Sequence, residues 1–353
     1  MRAGKTAALL ATGVLLLSAA ACGSDGDGEE RAVAPSDYDC SKPDASDPQE
    51  IGVAGMPILT NGALFAAIEE DMFAKHGLEP TVEFVASPPA AVASLSGGSV
   101  DFAYATTQLL LSAVDKGQPI RGVASFAGIE PGYYEKMQAG EEGYTEGITA
   151  LLVQEDSGIA SPSDLEDKTV AVSDPDFAQL LVQSVIKGDG GDPSTVKFVF
   201  MPGADAYNAI QAGKVDAAFS FNPLIEGYAE KGLRNLSWLE VEVFHSGPMS
   251  FFVATEDYIN KNPDIVARFN CVIAEASEYS NENPDAVRTA LAAEQDVDPG
   301  TYANQKVSWF FPQIDIEGVE RVQDVMLEFD RLKKRHTMDE LMAPVVLEEA
   351  DGA

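Results

Sequence analysis

The chain has 353 residues, 45% of them hydrophobic, and its 57 Asp and Glu against 23 Lys and Arg give a formal net charge of −34. A protein that works by displacing counterions from nucleic-acid phosphates needs a basic face, so that class is excluded. The apolar content and the 20 prolines also argue against a mostly disordered or collagen-like chain, and the length suits about two domains.

Arg2 and Lys5 precede an apolar stretch over residues 7–21, closed by small residues, which is the layout of a secretion signal and too short for a membrane span. Residues 1–21 are therefore expected to be removed. Leu17-Ser18-Ala19-Ala20-Ala21-Cys22 resembles the lipobox of bacterial lipoproteins, which implies lipid on Cys22 and anchoring at the outer face of the cytoplasmic membrane. That motif usually has Leu three residues before the cysteine, where Ala19 stands here. Ala19 and Ala21 also spell the cleavage site of a freely secreted protein, so this alternative stays open beside the preferred lipid-anchored one.

Residues 22–50 read as an acidic, self-repelling tether. With Cys22 lipidated, Cys40 and Cys271 remain as an even pair in an oxidising compartment, and a disulfide between them is favoured. Such a bond would contribute on the order of 4–5 kcal/mol in the chain-entropy description. The alternative leaves Cys271 as a small core residue and Cys40 free.

From residue 51 the pattern becomes strand, helix, strand: strands over 51–55 and 82–85 flank a helix over about 61–76, closed by Gly77. The sequence then repeats itself. Thr81-Val82-Glu83-Phe84-Val85 recurs as Thr195-Val196-Lys197-Phe198-Val199, and Pro88 recurs as Pro202. After a one-residue insertion, Gly98, Val100, Asp101 and Ala103 recur as Gly213, Val215, Asp216 and Ala218, and Lys116-Gly117 as Lys231-Gly232. A repeat of this length points to two similar lobes rather than a solenoid. Beyond the second copy a strand over 250–254 leads into helices. Pro263 and Pro284 stand in first turns, each after an Asn able to cap, and Val322, Val325, Met326 and Phe329 form a core-facing helical stripe.

Three blocks then carry a resemblance over nearly the whole mature chain. They are Ala63-Leu64-Phe65-Ala66-Ala67-Ile68-Glu69-Glu70, then Phe73-Ala74-Lys75-His76-Gly77-Leu78-Glu79, then Leu95-Ser96-Gly97-Gly98-Ser99-Val100-Asp101-Phe102. The second lobe adds Ser163-Asp164-Leu165-Glu166-Asp167-Lys168-Thr169-Val170 and Ala212-Gly213-Lys214-Val215-Asp216-Ala217-Ala218. In this order the blocks resemble the nitrate, sulfonate, taurine and thiamine-precursor binding proteins of bacterial ABC importers. The resemblance implies an α/β, two-lobe type II periplasmic-binding-protein fold with a helical C-terminal segment packed on lobe one. It also implies a monomer that closes on a small solute and hands it to membrane permease subunits, with no cofactor and no metal. Lobe one is expected over 51–127 and 248–343, lobe two over 148–247. Residues 128–147, with Tyr133, Tyr134 and Tyr144, look like an insertion near the hinge. Asn222-Pro223 stands where the family often has Glu-Pro.

Ligands of open α/β sheets gather beyond the carboxyl ends of the strands, where helix N-termini point out. That places candidate contacts at Met56, Pro57, Asn61, Ser87, Thr106 and Thr107 in lobe one. In lobe two it selects Ser173, Asp174, Asp176, Phe177, Asp205, Phe221 and Asn222. None of these loops holds Lys or Arg, whereas Asp174, Asp176 and Asp205 lie in them, which favours a neutral, zwitterionic or cationic organic solute over a bare anion. The alternative is that the aspartates cap helices and face water.

An extracytoplasmic α/β enzyme is the rival class, but the chain has no Gly-x-Ser-x-Gly, His-Glu-x-x-His, phosphate loop or Cys-x-x-Cys. The three histidines are scattered. His76 stands at a helix end, His245 near the second crossing reads first as structural, and His336 is expected in a solvated C-terminal helix. A lipoprotein that senses a solute without transporting it is a third possibility.

Overall fold

The computed structural model describes residues 36, 38–222, 224–225, 227–303 and 305–351. The expected signal peptide, Cys22, most of the tether and Pro223 lie outside these residues. Among the described residues thirteen strands build three sheets. The first sheet takes β1 (Gln49–Gly55), β2 (Leu78–Phe84), β3 (Phe102–Thr106) and β4 (Ile120–Ser125). β5 (Ala127–Ile129) leaves it, and the chain passes to β6 (Thr149–Gln154), β7 (Thr169–Val172), β8 (Lys197–Phe200), β9 (Ala217–Phe221) and β10 (Leu233–Ser237). It returns through β11 (Gly247–Pro248) to β12 (Ser250–Thr255), and β13 (Trp309–Phe310) follows in the C-terminal part.

The two large sheets repeat one topology. Lobe one has the order β2-β1-β3-β12-β4 and lobe two the order β8-β7-β9-β6-β10. In each, the fourth strand is the one that crosses between lobes, and it runs antiparallel to both neighbours while the first three are mutually parallel. The repeated Gly-x-Val-Asp has a matching physical role in each copy. The Asp101 carboxylate accepts from the Gly52 N–H at 2.8 Å, and the Asp216 carboxylate accepts from the Thr169 N–H at the same distance. Each aspartate thereby ties the approach to the third strand to the second, β1 in lobe one and β7 in lobe two. Gly98 and Gly213 both turn with positive φ, as do Gly117 and Gly232.

Because helices cover both faces, the strands read as apolar runs whose alternate residues enter different cores. In β12, Phe251 and Val253 face the helices Pro88–Gly97 and Thr107–Asp115, whereas Phe252 and Ala254 face the helices Gly62–Glu69 and Pro263–Glu282. There Phe102 stacks on Phe269 with centroids 3.9 Å apart. In β6, Leu151 and Val153 join the first of these cores, while Ala150 and Leu152 meet Ala206 and Ile210 of the helix Gly203–Gln211. The C-terminal helices pack on lobe one, where the Ala343 N–H donates to the Gly122 carbonyl at 2.8 Å. The helix Ile316–Glu328 also reaches the helix Leu239–Phe244 of lobe two.

A small third sheet, β11-β5-β13, lies where the chain crosses between lobes. Its strands approach so closely that a Cβ on Gly128 would collide with the Gly247 carbonyl oxygen. Cys40 and Cys271 are bonded, with Cα atoms 5.6 Å apart, so the end of the expected tether is fastened to the helix Pro263–Glu282. Tyr38 adds a hydrogen bond between its hydroxyl and His76 Nδ1 at 2.9 Å. Among the described residues no helix is long and apolar enough to cross a membrane.

Several local expectations need correction. The helix over 61–76 is broken: it runs Gly62–Glu69, Asp71 takes a φ of 55°, and a short turn Met72–Lys75 follows. Asn262 and Asn283 do not cap the helices they precede. Their side-chain N–H groups donate to the Tyr258 and Tyr279 carbonyls, closing the preceding helical segments instead. His336 is buried outside any helix, with Nε2 3.2 Å from the Asp115 carboxylate, because the basic run before it curls back onto lobe one. Along the helix Ile316–Glu328, Val322 and Met326 are buried, but Val325 and Phe329 are only half-buried.

Candidate ligand-binding site

Between the lobes lies a cavity of about 470 Å³. Lobe one contributes Ile58, Thr60, Pro88, Tyr104, Thr106 and Gln108, and lobe two contributes Ser173, Phe177, Phe219 and Phe221. The crossing segments add Gly128, Glu130, Tyr133 and residues 146–149, and the C-terminal part closes it with Ser280, Asn281 and residues 306–309. The lobe-two side is aromatic: Phe177 stands edge-on to Phe219, and Phe219 is 6.1 Å from Phe221. Such a wall suits a flat organic solute.

The charged groups are concentrated beside the first crossing strand. Glu240, on the helix Leu239–Phe244, is 2% exposed, and its Oε1 accepts from the Ile148 N–H at 3.1 Å. Burial raises its carboxyl to about 8, against which the Ile148 hydrogen bond is a smaller effect. Lys306 Nζ donates to the Tyr133 hydroxyl and, at 3.4 Å, to the Glu146 carbonyl, and burial lowers its pKa. The Tyr133 hydroxyl donates to the same carbonyl at 2.7 Å, and burial pushes it up to about 12. Glu130 is matched by Lys136 at 2.8 Å and accepts from the Tyr144 hydroxyl at 3.0 Å.

The family described as NMT1/THI5 like matches residues 60–133 and 141–287. The chain belongs to that family. The match to the NMT1/THI5-like family passes over residues 134–140, which include most of the helix Tyr133–Gln138 beside the cavity. Among curated relatives, a Brucella abortus protein named as a binding protein is 25% identical over 62% of this chain, and the chain spans 63% of that relative's length. The formylaminopyrimidine-binding protein of Halalkalibacterium halodurans is 20% identical over 72% of this chain and 73% of its own. Among solved structures, the periplasmic aliphatic sulphonate binding protein SsuA from Escherichia coli superposes with a TM-score of 0.66 at 16% identity, covering 85% of this chain and 99% of that one. The desulfurization enzyme DSZB also shares the fold, with a TM-score of 0.56 at 17% identity over 86% of this chain and 99% of that one.

Within this NMT1/THI5-like chain, Thr106, Ser173, Phe177 and Phe221 of the candidate contacts line the cavity. Others stand one position from residues that do. Pro57 and Asn61 flank Ile58 and Thr60, Ser87 precedes Pro88, and Thr107 precedes Gln108. The polar groups named next are committed to the chain itself, whereas the buried Asn61 Nδ2 finds no partner among the described residues. Asn61 Oδ1 accepts from the Met56 N–H at 2.9 Å, the Pro57 carbonyl accepts from Gln295 at 2.9 Å, and Ser87 Oγ accepts from the Ala90 N–H at 3.4 Å. Thr107 Oγ1 donates to the Pro248 carbonyl at 2.6 Å, and the Asn222 N–H donates to the Ile148 carbonyl at 3.1 Å.

The three aspartates lie outside the cavity lining. Asp174 Oδ1 accepts from the Asp176, Phe177 and Ala178 N–H groups, at 2.6 Å from Phe177, and so ties down the start of the helix Ala178–Gly188. Asp176 and Asp205 are exposed. His245 also lies outside the lining and stacks on Tyr134 with centroids 4.0 Å apart.

Sequence reasoning missed Glu240, Lys306, Gln108, Tyr104 and Trp309. The run Leu239-Glu240-Val241-Glu242-Val243 alternates like a strand with its glutamates outward, yet the segment is helical and places Glu240 on the same face as buried Phe244. Lys306 sits in an irregular stretch with no pattern to mark it.

Proposed function

We propose that the chain is the extracytoplasmic solute-binding component of an ABC importer, capturing a small organic solute between its lobes and delivering it to the permease. The observation that carries this reading is the cavity of about 470 Å³ walled by both lobes and both crossing segments. A site built across two lobes is completed only when they come together, so solute binding and closure are one event. The relatives' names, a formylaminopyrimidine-binding protein and a sulphonate binding protein, bracket the solute class. Glu130, Glu146 and Glu240 against Lys306 on the lining favour a neutral or cationic member over a sulfonate.

The reading includes lipid on Cys22, with the protein acting as a monomer at the outer face of the cytoplasmic membrane. The mass of the mature N-terminal peptide tests the anchor: a diacylated Cys22 supports it, and a free Cys22 amine points to secretion.

The test of the function is a thermal-shift screen with aminopyrimidines, amines, small aromatic acids, taurine, alkanesulfonates and nitrate. A solute at 100 times its dissociation constant adds about 2.7 kcal/mol to the folded state. The expected result is a clear shift with one organic class, accompanied by compaction in small-angle scattering. Tight binding without compaction would remove the closure mechanism. Because DSZB is an enzyme on this fold, the bound solute is then released and identified. Recovery of unchanged solute supports binding, and a converted product would overturn the importer reading.

A further inference from the structure

This inference rests on the solute-binding reading. Three residues on the cavity wall are buried with polar atoms that find no hydrogen-bond partner among the described residues: Glu240 through Oε2, Gln108 through both side-chain ends, and Ser280 through Oγ. Leaving a buried polar group unpaired is costly, and more so for a charged one, so these atoms are where a ligand recovers most.

The charges beside them do not balance. Glu130 is matched by Lys136, which leaves Lys306 as the cation facing two carboxylates, Glu146 and Glu240. The elements packed around the Glu240 helix engage their own charged groups elsewhere. Glu242 accepts from the Ser237 hydroxyl, Arg321 donates to the Phe244 carbonyl, and Lys187 pairs with Glu328. His245 stacks on Tyr134, with Glu135 and Arg321 acting on it. With both facing carboxylates ionised, the wall therefore carries one uncompensated negative charge. A proton on Glu240 or one cation in the cavity removes it.

We propose that this wall is a subsite for a group that is already a nitrogen cation at neutral pH, an ammonium or amidinium, that donates to Glu240 Oε2 and enters as the Glu240 proton leaves. The Glu240 O–H bond breaks, its proton passes to solvent, and an N–H···O⁻ contact replaces it, so the charge inside the cavity is unchanged. Gln108 and Ser280 supply further acceptors, and the aromatic walls receive the body of the solute. A charge-assisted contact in a buried site is worth about twice a neutral one, which makes the exchange selective for the cation.

The experiment uses matched probes, benzylamine and benzamidine against their neutral isosteres and against benzenesulfonate and taurine, on the full mature chain and its Glu240→Gln variant. In the wild-type protein the expected results are preference for the protonated probe by about tenfold or more and, at pH 7, release of close to one proton per solute. Calorimetry in two buffers of different ionisation enthalpy reads that proton without any variant. Glu240→Gln is expected to abolish both the preference and the proton release while leaving the affinity of the neutral isostere within a few-fold. Equal affinity for charged and neutral probes, no proton release, or binding of a sulfonate unaffected by the substitution would overturn the subsite and leave the importer reading standing. No stabilisation by any class would overturn that reading as well.

Discussion

Glu240 makes the folded protein's stability depend on pH in a direction opposite to most carboxylates. Burial raises its folded pKa to about 8 from the ordinary 4.5, so between those values the folded state holds a proton that the unfolded chain has lost. Its contribution is therefore fully present below about pH 4.5 and is lost as pH rises through about 8. Glu240→Gln, which cannot ionise, is expected to melt near the wild-type temperature at pH 5 and several degrees above it at pH 8. Equal melting differences at the two pH values would show that Glu240 is not held in its acid form. At this scale the sequence was only partly legible. Helix-start residues such as Ser87 and Thr107 are easy to find from their type, yet the same tendency that puts them there commits their hydroxyls to the backbone, and a neighbour lines the cavity instead. Asp174 shows the rule most fully, with three backbone N–H groups converging on one carboxylate oxygen.

The elements that set the relation between lobes are shorter than the ones that build them. β5 is three residues long and β11 two, and they meet with Gly128 against the Gly247 backbone. Gly128→Ala is expected to destabilise the protein by about 1–3 kcal/mol, since the obstruction is backbone that cannot rotate away. Gly97→Ala, in a helix with open space around the new methyl, is expected to be neutral or stabilising by about 0.5–1 kcal/mol. Parallel urea titrations compare the two, and equal midpoints would contradict the packing described for the crossing. Strands and the duplication were readable because short apolar runs and a repeated Gly-x-Val-Asp are local signals, and both copies of the aspartate bond the same part of their sheet. The break at Asp71 and the backward-reaching Asn262 and Asn283 were not, because each depends on which carbonyl or cavity the folded chain brings near.

At the scale of the whole molecule the Cys40–Cys271 bond closes a loop with a sequence separation of 231. Replacing both cysteines by serine is expected to lower stability by roughly 2–5 kcal/mol, read as a fall in the urea midpoint, with the cavity's affinity for its solute little changed. An unchanged midpoint would mean that the bond restricts the unfolded chain far less than its length suggests. The same bond also decides how tension travels. A pull applied through the N-terminal segment enters at Cys40 and crosses the sulfur bridge directly into the helix Pro263–Glu282. The whole of lobe two lies between the bridged positions and is bypassed by that load. Traction from the N-terminal side would thus leave lobe two mechanically slack while lobe one carries the strain.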